Sequence, residues 1–93
     1  MDTRPTSAAT DAIDVRVLCF ARVRELLGRS EFTLRIVRGA TLHDLWDDLI
    51  ALHAAIAPLR SSTRLSRNGR LASLEEVLEP HDEVALLPPV GGG

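Results

Sequence analysis

Three observations predict an α+β fold of two layers, with one long helix laid across a mixed sheet. First, Ile13–Phe20 (IDVRVLCF) and Glu31–Val37 (EFTLRIV) alternate apolar and polar residues with the period of a strand. Second, Thr41 opens one stretch of helical period, in which Leu42, Leu45, Trp46, Leu49, Leu52, His53 and Ile56 form an apolar stripe. Third, Glu83–Leu87 (EVALL) is short and apolar, as a central strand is. The core must be aliphatic, because apolar residues make up 45% of the chain and aromatics only 3%. Ninety-three residues allow one domain with a small core.

In chain order, residues 1–12 lack any period and read as a disordered leader. In the first strand, Ile13, Val15, Val17 and Cys19 face one way, and Asp14, Arg16, Leu18 and Phe20 the other. That second face starts polar and ends apolar, which calls for a cover. Ala21–Leu27 is rich in helix formers and stops at Gly28, a C-cap residue. The second strand puts Phe32, Leu34 and Ile36 inside and leaves the other face wet. Arg38-Gly39 makes a turn. Thr41 and Asp44 have the capping-box spacing, and Pro58 is expected to stop the long helix near Ala57. Asn68-Gly69 predicts a hairpin, since both positions accept φ > 0. Its polar flanks, Ser62–Arg67 and Arg70–Ala72, read as edge strands. Leu74–Leu78 reads as a helical turn and Pro80-His81-Asp82 as a turn. The first and last strands are the most apolar, so they belong side by side at the sheet centre, in parallel across the helix crossover. This is a β-grasp arrangement over residues 13–87.

Few functions are left to such a chain. A net charge of −2 and the lack of aromatic platforms argue against nucleic acid. No apolar run approaches the roughly 20 residues of a membrane span, and no signal-peptide core opens the chain, so the expected compartment is the cytoplasm. Cys19 is alone and alternates with core valines, which reads as a buried packing residue and excludes an internal disulfide. His43 and Asp47 have i, i+4 spacing but no third ligand at a defined offset, so a solvated helix face is expected and no metal. Glu75, Glu76, Glu79, Asp82 and Glu83 read equally as ordinary surface or as a docking face for a basic partner. No Ser-His-Asp arrangement, phosphate loop or nucleotide fingerprint occurs, so no catalytic site of its own is expected.

The chemistry is left to residues 88–93, Pro88-Pro89-Val90-Gly91-Gly92-Gly93. Two prolines lead the chain out in an extended direction, and three glycines end on a free carboxylate. Fully extended, this tail reaches roughly 20 Å, as a flexible arm that delivers a carboxylate into a narrow slot. All 11 basic residues are arginines, so an activated acyl group meets no lysine amine on its own chain.

Residues 17–26 (VLCFARVREL), the helix opening Gly39-Ala40-Thr41-Leu42, Asn68-Gly69, and DEVALLPPV with a terminal Gly92-Gly93 together resemble the small subunit of molybdopterin synthase. This is the MoaD branch of the MoaD/ThiS ubiquitin-like sulfur carriers, and the resemblance runs from about Ile13 to Gly93. Gly91 stands where the family often carries Ser, Ala or Thr, and Cys19 where an aromatic residue is frequent. The resemblance implies that an adenylating enzyme (MoeB-like) uses ATP to activate the Gly93 carboxylate. Sulfur then replaces one oxygen. The thiocarboxylate donates sulfur to cyclic pyranopterin monophosphate inside the synthase large subunit (MoaE-like). It also implies that Leu18, Phe20 and Leu87 meet the partners, and that the chain itself holds no cofactor. The alternatives are a carrier for a thiamine-type pathway and a ubiquitin-like conjugation or interaction module.

Overall fold

The computed structural model describes residues 11–89. Strand β1 (Ala12–Cys19) leads through a short helix α1 (Ala21–Leu27) to β2 (Glu31–Val37), and then to the long helix α2 (Leu42–Leu52). A stretch of 3-10 turns (Ala54–Ser62) follows, then β3 (Arg64–Arg67), β4 (Arg70–Leu71) and β5 (Glu83–Leu87). The sheet order is β2-β1-β5-β3-β4, with β1 and β5 parallel and every other pair antiparallel. One helix covers one face of this mixed sheet, which is the β-grasp arrangement.

The core follows from the strand period. Ile13, Val15, Val17 and Cys19 of β1 point toward α2, with Leu34 and Ile36 beside them on β2 and Val84 and Leu86 on β5. From α2 they meet Leu42, Leu45, Trp46 and Leu49, all buried. The Thr41 hydroxyl accepts from the Asp44 N–H at 3.2 Å, and the Asp44 carboxylate accepts from the Thr41 N–H at 2.9 Å, closing the capping box.

Three expectations are corrected. The long helix ends at Leu52, not near Ala57. His53 breaks its dihedrals, and the chain rewinds in tighter 3-10 turns that accommodate Pro58. The rewinding carries Ile56 into the core and leaves Leu52 out, 63% exposed. Second, Leu74–Leu78 is not helical. Its carbonyls serve the start of α2 instead: the Leu42 N–H donates to the Glu76 carbonyl at 3.1 Å and the His43 N–H to the Leu74 carbonyl at 3.0 Å. Val77 bridges Thr41, and the Leu78 N–H donates to the Ala40 carbonyl. A helical turn there would give the Leu78 N–H to the Leu74 carbonyl, whereas here that N–H goes to Ala40 and the Leu74 carbonyl is left for His43. Third, the hairpin forms with Asn68 and Gly69 both at positive φ, but of its two strands only β4 is an edge. Strand β3 is paired on both sides; its polar sequence misleads because Arg67 points inward and is fully engaged there.

That engagement centres on Asp82, which is 6% exposed and is no part of a charged surface. Its carboxylate accepts from Arg67 Nε at 2.7 Å, Asn68 Nδ2 at 2.9 Å and the Glu79 N–H at 2.8 Å. Asn68 Oδ1 in turn accepts from the Glu83 N–H at 2.9 Å. The hairpin turn is thereby tied to the entry of β5.

Candidate functional site: the outer sheet face and the exit of the C-terminal tail

The face of the sheet away from α2 divides in two. Residues opposite one another in register share a face. One row across it therefore runs Glu31, Leu18, Ala85, Ser66, Leu71, and the next row ends with Leu87 beside Arg64. Toward the start of β1 this face is charged and self-paired. Arg16 meets Glu31 at 3.1 Å and Glu83 at 3.7 Å, and Arg35 meets Asp14 at 3.0 Å. Toward the end of β5 it is apolar and uncovered. Leu18 and Leu87 are half-buried, Phe20 is 41% exposed and Leu71 is 61% exposed.

The tail leaves from the apolar half. Pro88 and Pro89 follow β5, both exposed, and they edge a small cavity of about 130 Å³ with Phe20, Ala21 and Leu59. Phe20 holds an extended conformation between β1 and α1, and Ala21 takes a positive φ of 50°. This bend ends β1 beside the tail instead of running it further along Pro88. Among the predicted site residues, Leu18, Phe20, Leu87, Pro88 and Pro89 thus stand together at one end of the sheet. Val90, Gly91, Gly92 and Gly93 lie outside the described residues. Sequence reasoning missed Leu71. Its signal was the turn: Asn68-Gly69 fixes the hairpin register, and that register alone puts Leu71 opposite Ser66 on the outer face.

The other candidates stay apart from this site. Cys19 is buried, and burial pushes its thiol pKa up against the opposing pull of Arg29, so it is no thiolate nucleophile. On α2, His43, Asp44 and Asp47 converge within 4.8 Å, all exposed, with Asp44 the third group that the spacing did not suggest. Both carboxylates are already engaged, Asp44 in the helix cap and Asp47 with Arg60 at 2.8 Å. The Arg60 hydrogen bond holds Asp47 below its ordinary pKa, aided by His43.

The described chain thus ends with Pro88 and Pro89 leaving an apolar sheet end, and the sequence that follows ends in glycines. The model of the ThiS family matches residues 17–93. The chain belongs to the ThiS family. Among its relatives is the molybdopterin synthase sulfur carrier subunit of Arabidopsis thaliana, 32% identical over 91 residues, which cover 98% of this chain and 95% of that protein. The family fold is equally plain in solved structures. The crystal structure of small archaeal modifier protein 1 from Haloferax volcanii superposes with a TM-score of 0.76 at 30% identity, covering 86% of this chain and 99% of that one. A ubiquitin from Caldiarchaeum subterraneum, 20% identical, shares the fold with a TM-score of 0.61 over 88% of this chain and 99% of that one. The ThiS-family chain is therefore ubiquitin-like in architecture. Among its described residues, no helix is long and apolar enough to cross a membrane.

Proposed function

We propose that this chain is the sulfur carrier subunit of a molybdopterin synthase, working in the cytoplasm, and that the α-carboxylate of Gly93 is its reactive group. The single observation that carries this reading is the placement of the tail. A chain ending Pro-Pro-Val-Gly-Gly-Gly leaves the sheet beside an uncovered apolar patch, in a relative of sulfur carrier subunits. A patch of Leu18, Phe20, Leu71 and Leu87 suits docking, and a terminal sequence of three glycines without side chains suits entry into a slot.

The chemistry proceeds in three steps. A carboxylate is a poor electrophile, so an adenylating partner first lets a Gly93 oxygen attack the α-phosphorus of ATP and expel pyrophosphate. Sulfide-level sulfur, a hydrosulfide released by the sulfur donor, then attacks the acyl carbon, AMP departs with the pair of electrons from the broken C–O bond, and the new thioacid loses its proton. The thiocarboxylate that results is a soft nucleophile at the tip of the tail. Inside the synthase large subunit it delivers sulfur to cyclic pyranopterin monophosphate. This chain contributes the docking patch and the reach. ATP belongs to the partner enzyme, and no cofactor or metal is assigned to the carrier itself.

Reconstitution with the synthase large subunit and the adenylating enzyme tests the reading. The full chain should form a thiocarboxylate and support pterin sulfuration, and a chain lacking Gly93 should do neither. A second reading is favoured by one specific observation, the likeness to small archaeal modifier protein 1, 33% identical over 82 residues. In that reading the Gly93 acyl group ends in a bond to a lysine of another protein. High-mass adducts of the chain in its native host would support conjugation, and sulfur-for-oxygen exchange without adducts supports the carrier.

A further inference from the structure

The apolar end of the outer sheet face holds a cation that the fold does not use. Toward the start of β1 the charges of this face are satisfied within the molecule: Arg16 pairs with Glu31 and Glu83, and Arg35 with Asp14. Arg22, which shares the tail-exit cavity with Phe20, pairs with Glu25 at 3.2 Å. Arg64 is exposed, and its guanidinium has no ion pair, hydrogen bond or ring contact among the described residues.

Backbone pairing fixes where Arg64 stands. It lies opposite Leu87, the residue before Pro88, in the antiparallel pair of β3 and β5. Leu71 lies opposite Ser66, two residues further along β3, so Arg64 and Leu71 are diagonal neighbours on the same face, and both border one hollow. Thr63, the residue before Arg64, lines the tail-exit cavity with Pro88 and Pro89. Arg64 thus stands inside the apolar patch, between Leu87 and Leu71, at the root of the tail. A protein that covers those two leucines also takes water from Arg64. Its guanidinium stays charged, and leaving it buried without an anion is strongly unfavourable. A carboxylate opposite it removes that penalty and accepts two parallel N–H donors. In a tail extended into a slot, the reactive end lies six residues beyond Leu87, up to roughly 20 Å away. The anion at Arg64 therefore comes from the partner's surface and not from the reactants.

We propose that Arg64 is a docking and specificity residue, which pairs with a carboxylate that the synthase large subunit presents at the mouth of its tail slot. The inference rests on the sulfur-carrier reading and adds to it the partner group that the tail root requires. The leucines and Phe20 supply apolar area, and Arg64 rejects a surface with no carboxylate at that place.

Calorimetric titration of the full chain with the large subunit of the same organism, at low and at high salt, tests this. Arg64→Leu extends the apolar patch while removing the charge. It should leave the partner's carboxylate buried alone and bind about thirtyfold more weakly, with a shallower salt dependence than the parent. Arg64→Glu should bind more weakly still, and a lysine in place of one acidic residue at the slot mouth should restore it. Melting temperatures should match the parent's, because Arg64 has no partner within the described fold, and Arg64→Ala replaces either variant that circular dichroism shows unfolded. Binding by Arg64→Leu that equals or exceeds the parent's overturns the inference, since the guanidinium then only reaches along the apolar surface to water. Failure of every such lysine to restore Arg64→Glu also overturns it. Both results leave the sulfur-carrier reading standing, whereas a parent chain that does not bind the large subunit at all overturns that reading and the inference with it.

Discussion

At the scale of single residues, Asp82 matters most among the charged groups. Burial pushes its carboxyl pKa up, but hydrogen bonds from Asn68, the Glu79 N–H and Arg67 outweigh that, and the net pKa lies below the ordinary value. A group whose pKa is depressed in the folded state contributes stability above its unfolded pKa, about 3.9 for Asp. That contribution is lost as pH falls toward and through the folded value. Urea denaturation should therefore show stability declining below about pH 4, and Asp82→Asn should flatten that decline. The same variant should cost about 1–3 kcal/mol at neutral pH, since Arg67 and the Glu79 N–H lose a charged acceptor. An unchanged urea midpoint would mean that the ties between hairpin and β5 are dispensable. Sequence reading counted Asp82 among five surface acids, because charge alone does not reveal which carboxylate has three donors converging on it.

At the scale of elements, local rules decide most of the outcome. The Thr41-Asp44 capping box, the left-handed cap at Gly28 and the Asn68-Gly69 turn were all legible, because each depends on a few adjacent residues. Thr41→Ala should cost about 1 kcal/mol in the urea midpoint. A Cβ at Gly69 would meet nothing within 4 Å, so Gly69→Ala should cost only the backbone penalty at its φ of 88°, about 1–2 kcal/mol. A larger loss would reveal a packing role that the structure does not contain. The illegible elements were those settled by distant partners. Leu74–Leu78 has helix-forming residues, yet the unpaired donors at the start of α2 claim its carbonyls. Leu52 fits the apolar stripe, yet the break at His53 turns the chain before the stripe can use it. Of the candidate site, Leu18, Phe20 and Leu87 were implied by the family resemblance, with the parallel neighbours β1 and β5 accounting for their placement at one end of the sheet, whereas Leu71 needed the sheet register.

At the scale of the whole molecule, one sheet does two jobs. Its inner face buries the aliphatic core against α2. Its outer face is closed by ion pairs at one end and left apolar at the other, where the tail departs. Phe20→Asp and Leu71→Asp should each weaken binding to the synthase large subunit by about 2 kcal/mol, with melting temperature nearly unchanged. Thr33→Asp, at the charged end of the same face, should bind normally, as a pull-down or calorimetry would read. If the Phe20 and Thr33 variants bound alike, the apolar end would not be the docking face.

The proposed function converges on the carboxylate of Gly93. Intact mass spectrometry of the protein, recovered after reaction with the adenylating enzyme, ATP and a sulfur donor, addresses it without any other readout. The account predicts the mass increment of one sulfur replacing one oxygen, localised to Gly93 and absent when Gly93 is removed. A chain that returns with unaltered mass under those conditions, or one that supports pterin sulfuration equally well without its final glycine, would contradict it.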